Sequence, residues 1–225
     1  DIAMAVVSGT GLYKTRALAA AETWMSDPAI ESAYIYGDSS MTLEACSLTQ
    51  CEEPCRPFQL DILQVPVPHG PESEWLARVT HRDDFFSSVP KFGLALLDLY
   101  RRHPNKPWFY LAGCDTYLLP AVLADALSDL DHEDKLLVGG HAGLHQGSLF
   151  LSGGSGLVLS QGLVSVLAQM IPARLRYWLE WEGTTHRCTP CADIFLAVLT
   201  REVGGQLVQR ECFYAFWPQR YAPTR

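Results

Sequence analysis

IAMAVVSGTG, residues 2–11, is a run of six apolar residues that ends in a serine–glycine–threonine–glycine turn. An unbroken apolar run closed by turn residues reads as a strand buried on both faces. Thr15 to Trp24 is rich in alanine and leucine and reads as a helix. Ala33 to Tyr36 is a short strand, closed by Gly37-Asp38-Ser39-Ser40. Strand, helix, strand within forty residues is how a parallel α/β sheet begins.

The rest of the chain extends that pattern. Residues 41–90 read as irregular, with prolines, cysteines and a short strand near Ile62 to Val67. Pro90 to Tyr100 is amphipathic, with Phe92, Leu96, Leu99 and Tyr100 on one face. Trp108 to Ala112 is a strand that runs into Gly113-Cys114-Asp115-Thr116. Pro120 to Leu130 reads as a helix with Val122, Leu123, Ala126, Leu127 and Leu130 inward. Leu136–Val138, Leu149–Leu151 and Leu157–Leu159 read as strands, the last two interrupted by Gly153, Gly154 and Gly156. Gln161–Ile171 and Ala192–Val203 read as helices. No repeat, low-complexity tract or linker divides the chain. The expectation is one α/β domain over residues 1–225, with a mixed, mainly parallel sheet flanked by helices.

Composition narrows the function classes. With 225 residues, 48% hydrophobic and 19% charged, the chain can bury a core without cysteine staples. The net charge of −8 argues against a nucleic-acid partner, which calls for a basic face. No run of about 18 apolar residues is present to cross a membrane. The start on Asp1, directly before a strand, reads as an excised luminal domain whose only membrane contact is an anchor outside this sequence. Seven cysteines suit an oxidising compartment. Cys46 is expected to bridge to Cys51 or Cys55, with a second bridge among Cys188, Cys191 and Cys212. The spacing supplies no second Cys-x-x-Cys for zinc. Cys188-Thr-Pro-Cys191 lacks a thioredoxin-like context.

Five blocks carry a resemblance. The opening DIAMAVVSGTGLYKTRALAAAETWMSD (1–27) resembles the start of fringe-type N-acetylglucosaminyltransferases, and the related core 1 galactosyltransferases also end this helix on Thr-Trp. Lys91 precedes a leucine-rich helix, and Trp108-Phe109 leads into LAGCDTYLLP (111–120), similar to the family's strand running into Asp-Asp-Asp. LSGGSGLVLS (151–160) resembles its Gly-Gly-Ala-Gly segment, CTPCADIFLAVL (188–199) its Pro-Asp-Asp segment, and ECFYAFWP (211–218) its Phe-His segment. The blocks stand in family order across residues 1–218.

The resemblance implies a GT-A-like domain with a nucleotide-sugar half (1–120) and an acceptor and catalytic half (121–225). It implies an inverting β-1,3-glycosyltransferase that moves a hexose or N-acetylhexosamine from a UDP-sugar to a glycan or glycoprotein hydroxyl. The setting would be the Golgi or secretory lumen, or outside the cell. A non-catalytic relative, acting as a sugar- or nucleotide-binding module or a chaperone-like partner, is the alternative.

Each candidate residue has a chemical reason. Asp115 follows a buried strand, where open α/β sheets bind ligands, and matches a family metal ligand for Mn2+ bridging UDP. Gly113 and Cys114 stand where the family has acids, and Tyr214 stands for its metal-binding histidine. A phenol is a poor manganese ligand at neutral pH, so metal binding is expected to be weak or UDP-dependent. His141, His145 and His186 are the histidines that could compensate. Asp193 matches the family's proposed general base, with Ala192 in place of the acid before it. As a plain structural residue, Asp193 would serve a helix first turn after Pro190. Thr10, Arg16, Asp38 and Lys91 match positions expected near the nucleotide, Arg16 as a phosphate partner. Gly153 and Gly154 read as backbone that approaches a sugar closely, or as a bulge. Tyr177, Trp178 and Trp181 offer stacking surfaces for an acceptor, or core.

Overall fold

The computed structural model describes residues 1–46 and 57–215. Residues 216–218 of the last resemblance block, and Cys51 and Cys55, lie outside them.

The opening run forms β1 (Ile2–Val7), and after a short 3-10 turn, Thr10–Leu12, a π-helical turn, Tyr13–Ala17, continues into α1 (Leu18–Glu22). Next come β2 (Ser32–Gly37), β3 (Met41–Cys46), β4 (Pro57–Gln64), α2 (Ser73–Thr80) and α3 (Ser88–Arg102). Then follow β5 (Trp108–Gly113), α4 (Pro120–Leu127), β6 (Leu136–His145) and β7 (Ser148–Ser160). The chain closes with α5 (Gln161–Tyr177), the single turn α6 (Gly183–Thr185), α7 (Ala192–Glu202) and β8 (Gln206–Gln209). All eight strands join one sheet in the order β3-β4-β2-β1-β5-β7-β6-β8. β1 pairs parallel with β2 and β5, β2 with β4, and β6 with β8; β3, and β7 against both its neighbours, run antiparallel. The expected mixed, mainly parallel α/β domain is what forms.

Period-two side chains sort the two cores. Ala3, Ala5 and Val7 of β1 face a layer built from α3, α5 and α7. Met4 and Val6 face the other side, where Tyr13, Trp24, Leu123 and Leu127 pack. Because both faces are covered, β1 and β5 are apolar without alternation, which is why their sequences announced them.

From β1 the chain moves outward through β2 to β4 on one side, then returns to β5 on the other. Strand order reverses between β1 and β5, with Val7 beside Gly113 at their carboxyl ends. That crevice is where open α/β sheets hold ligands.

Three readings are corrected, and one strand was not anticipated. Among the described residues of 41–90, where an irregular stretch was expected, β3 and β4 form an antiparallel ladder and α2 follows. Leu149–Leu151 and Leu157–Leu159 are one strand, β7, not two. β8 adds a strand at the sheet edge. Val122 points outward from α4 while Leu123 and Leu127 are buried.

Candidate functional site

β7 stays continuous because its glycines leave the ladder without breaking it. Pairing with β6 jumps from Gly139–Leu157 to Gly140–Ser152, so Gly153, Gly154, Ser155 and Gly156 stand between the two pairs as a bulge. Gly156 takes φ +79°, and a Cβ there would enter the Tyr110 ring. Three bonds pin the bulge. Tyr110 Oη donates to the Ser155 carbonyl at 3.0 Å, Thr116 Oγ1 to the Gly154 carbonyl at 3.3 Å, and the Gly153 N–H to Asp193 Oδ2 at 3.1 Å. The bulge projects toward the carboxyl ends of β1 and β5.

A cleft of about 590 Å³ opens there, within the size range of small-ligand sites. Arg16, Lys91, Cys114 and Asp115 line it from the first half of the chain, and Gly153, Gly154 and Asp193 from the second. The sequence blocks at 111–120, 151–160 and 188–199 thus meet in space. α3 and α7 both begin at its wall, so their amino-terminal dipole ends add positive potential to a lining that also carries Asp83, Asp84, Asp115 and Asp193.

Asp193 sits in the first turn of α7, half-buried. Its Oδ1 accepts the Ile194 N–H at 2.9 Å and its Oδ2 accepts Gly153. A carboxylate oxygen that accepts one N–H keeps a second lone pair, so both oxygens retain capacity to take a proton. Cys191 caps the helix and pairs with Cys188 as a disulfide. The loop between them is further held by the Trp178 indole, which donates to the Thr189 carbonyl at 2.9 Å. Cys212 is not part of that bridge and is a free thiol. Cys46 is disulfide-bonded, but the expected choice between Cys51 and Cys55 falls outside the described residues.

Asp115 and Arg16 face each other across the mouth of the cleft, Arg16 Nη1 to Asp115 Oδ2 at 3.4 Å, both largely exposed. Cys114 behind them is buried, and burial pushes its thiol pKa up, so it stays protonated.

Thr10 and Asp38 do not line the cleft. Asp38 is tied to it through Lys91, which does, while Thr10 is exposed. The Thr10 N–H and hydroxyl both donate to the Asp38 carboxylate, and Lys91 Nζ lies 3.5 Å from Asp38 Oδ1. Lys91 Nζ also donates to the Arg82 carbonyl at 2.6 Å. Burial lowers the Lys91 pKa, and the Asp38 carboxylate offsets part of that. For Asp38, burial alone would raise the pKa. Hydrogen bonds from Thr10, with the Lys91 ammonium adding, outweigh it and hold the carboxyl below its ordinary value.

Two acids in the cleft wall went unread in the sequence. Asp83 Oδ2 accepts the Gly11 N–H at 2.9 Å, which fixes the turn after β1. Asp84 accepts the Ser87 N–H at 3.0 Å and pairs with Arg82, capping the turn that leads into α3. The spacing Asp84-x-x-Ser87 ahead of the Pro90 helix was the available signal.

Tyr214 lies in a neighbouring hollow of about 880 Å³ that shares Asp115 and Gly154 with the cleft. Tyr177 and Trp181 are exposed, but on a different cavity, with Arg176 and Glu180. Trp178 is fully buried and stacks on His186, so it is core. His145 bonds the His186 carbonyl, and His141, His145 and His186 are absent from the cleft lining.

Among the described residues no three His, Cys, Asp or Glu side chains converge as ligands. Asp115 has Arg16 as its partner, Cys114 is a protonated thiol, and Asp83, Asp84 and Asp193 are bonded to backbone N–H groups. No family model matches the chain, and no characterised protein matches it in sequence.

Proposed function

We propose that this chain is an inverting glycosyltransferase that uses a UDP-sugar donor and a glycan or glycoprotein hydroxyl as acceptor. The observation that carries the reading is the position of Asp193. Its carboxylate stands in the same cleft as Arg16 and Asp115, at the switch point of the sheet, fixed to the Gly153 bulge with lone pairs left over. An acceptor hydroxyl attacks the anomeric carbon, the bond from that carbon to the UDP oxygen breaks, and the hydroxyl proton goes to Asp193. The glycines at 153 and 154 let the bulge backbone approach Asp193 and Ala215 closely. The β-1,3 linkage and the secretory-pathway setting rest on the family resemblance, and the Cys188–Cys191 disulfide agrees with an oxidising compartment.

UDP release from a panel of UDP-hexoses and UDP-N-acetylhexosamines, with and without glycan acceptors, tests this. Acceptor-dependent release that Asp193→Asn abolishes is the expected result. UDP binding without transfer across the panel would assign the chain to the binding-module class instead. Transfer that survives Asp193→Asn would remove Asp193 from the chemistry.

A further inference from the structure

We propose that the cleft binds the diphosphate of its nucleotide without a divalent cation, and that the Arg16 guanidinium is the counter-charge. The inference rests on the nucleotide-sugar reading and concerns what replaces the family metal. It follows from how the acids around Asp115 are used. The space that a side chain at Gly113 would occupy is taken by Asp115 itself: a Cβ on Gly113 would stand 2.7 Å from Asp115 Oδ1. That carboxylate turns toward Arg16, at 3.4 Å, rather than toward a second ligating group. A hard divalent cation needs several oxygen ligands, and one exposed carboxylate does not hold it.

An anion finds a better partner. Arg16 is held at the cleft mouth by Asp115, and its planar fork matches phosphate oxygens. The amino-terminal ends of α3 and α7 add their dipoles to the same space. Lys91 is committed to Asp38 and the Arg82 carbonyl, so Arg16 is the cation presented at the surface of the site. In this arrangement Asp115 is a positioning residue. It orients the guanidinium in the empty cleft and is displaced, as a like charge, when the diphosphate arrives.

The two residues then have opposite signs in a binding experiment. Titration calorimetry with UDP, in EDTA and again in manganese, on the parent chain, Arg16→Gln and Asp115→Asn separates the possibilities. The expected result is equal UDP affinity in EDTA and manganese, with Arg16→Gln weaker by at least about tenfold. Asp115→Asn, which frees the guanidinium and removes a negative charge, binds UDP about two- to fivefold tighter. UDP binding that needs manganese and is lost in Asp115→Asn overturns the proposal and leaves the nucleotide reading standing. Metal-free binding that ignores Arg16→Gln, or an Asp115→Asn affinity that is unchanged or lower, also overturns it. No UDP binding under either condition overturns the nucleotide reading itself.

Discussion

The Gly153 N–H donates to Asp193 Oδ2 at 3.1 Å, and this one bond joins the β7 bulge to the first turn of α7. A Cβ on Gly153 would stand 3.3 Å from Asp193 Cβ, so the approach leaves almost no slack. The candidate base is therefore located by two elements. α7 supplies its backbone position, and the bulge fixes which way its carboxylate faces.

Asp193→Asn should reveal both roles at once. The amide keeps the shape but offers one acceptor oxygen where the carboxylate offers two, so either Gly153 or Ile194 loses its partner. We expect a stability loss of about 1–2 kcal/mol from the lost charged hydrogen bond and the helix dipole. Transfer should fall by at least about 10²-fold. Denaturant unfolding and UDP release, measured on the same sample, check the two numbers. A stability loss with transfer intact would leave Asp193 as a structural tie alone.

The bulge itself depends on Gly156. At φ +79°, with the Tyr110 ring against its Cα, alanine meets both backbone strain and a collision. Gly156→Ala should cost about 2–4 kcal/mol. Gly147 provides the comparison, since it has φ +76° with nothing within 4 Å of a new Cβ. Gly147→Ala should cost only the strain, about 1–2 kcal/mol. Thermal melts of the two variants read the difference. Equal losses would mean that Tyr110 yields easily and does not hold the bulge.

What could be read in advance follows from burial. β1 and β5 lie inside the sheet with layers on both faces, so their unbroken apolar runs were plain, and the acid after β5 came with them. β3 is the edge strand and β4 the strand next to it, and their half-exposed alternation, MTLEAC and PFQLDILQ, was hidden among prolines and cysteines. β8 has only four residues, with glutamine at each end, which gives periodicity nothing to act on. In the site, Arg16, Asp115 and Asp193 were legible from chain position and resemblance. Asp38 was legible as present but not as buried, because its carboxylate is consumed by Thr10 and Lys91, contacts that only the fold creates. Asp83 was missed because its partner, Gly11, lies 72 residues away in sequence.

The Cys188–Cys191 bridge closes a very short loop, so its effect on the unfolded chain is small, about 2 kcal/mol. Replacing both cysteines by serine should lower stability by about that amount. Its larger effect should be local, because Cys191 caps α7 two residues before Asp193. Non-reducing peptide mapping should find Cys188 joined to Cys191. Cys114 should resist alkylation until the protein unfolds, since burial both shields it and keeps it protonated. Rapid native-state labelling of Cys114 would contradict its burial in the cleft wall.

The Lys91–Asp38 pair gives the molecule a pH signature with a definite sign. Both side chains are nearly inaccessible, at 4% and 9% exposure, so water does little to screen the pair. The Asp38 pKa in the folded chain lies below its ordinary value of 3.8. A depressed carboxylate pKa contributes stability above the unfolded value, and that contribution is lost as pH falls through the folded one. The site should therefore support the fold at pH 7 and begin to fail below about pH 4. Lys91→Met strips the ammonium and leaves Asp38 charged and buried, with Thr10 as its main support. We expect a loss of about 3–5 kcal/mol at pH 7. The same substitution raises the Asp38 pKa, so the penalty should shrink between pH 7 and pH 4 as the carboxyl takes up a proton. Adding Asp38→Asn should recover part of the loss at pH 7, since the neutral amide does not need the ammonium. Urea unfolding of the parent, the single variants and the double variant at both pH values tests the cycle. A Lys91→Met penalty that does not change with pH, or a double variant as unstable as the sum of the singles, would show that the two groups are not coupled.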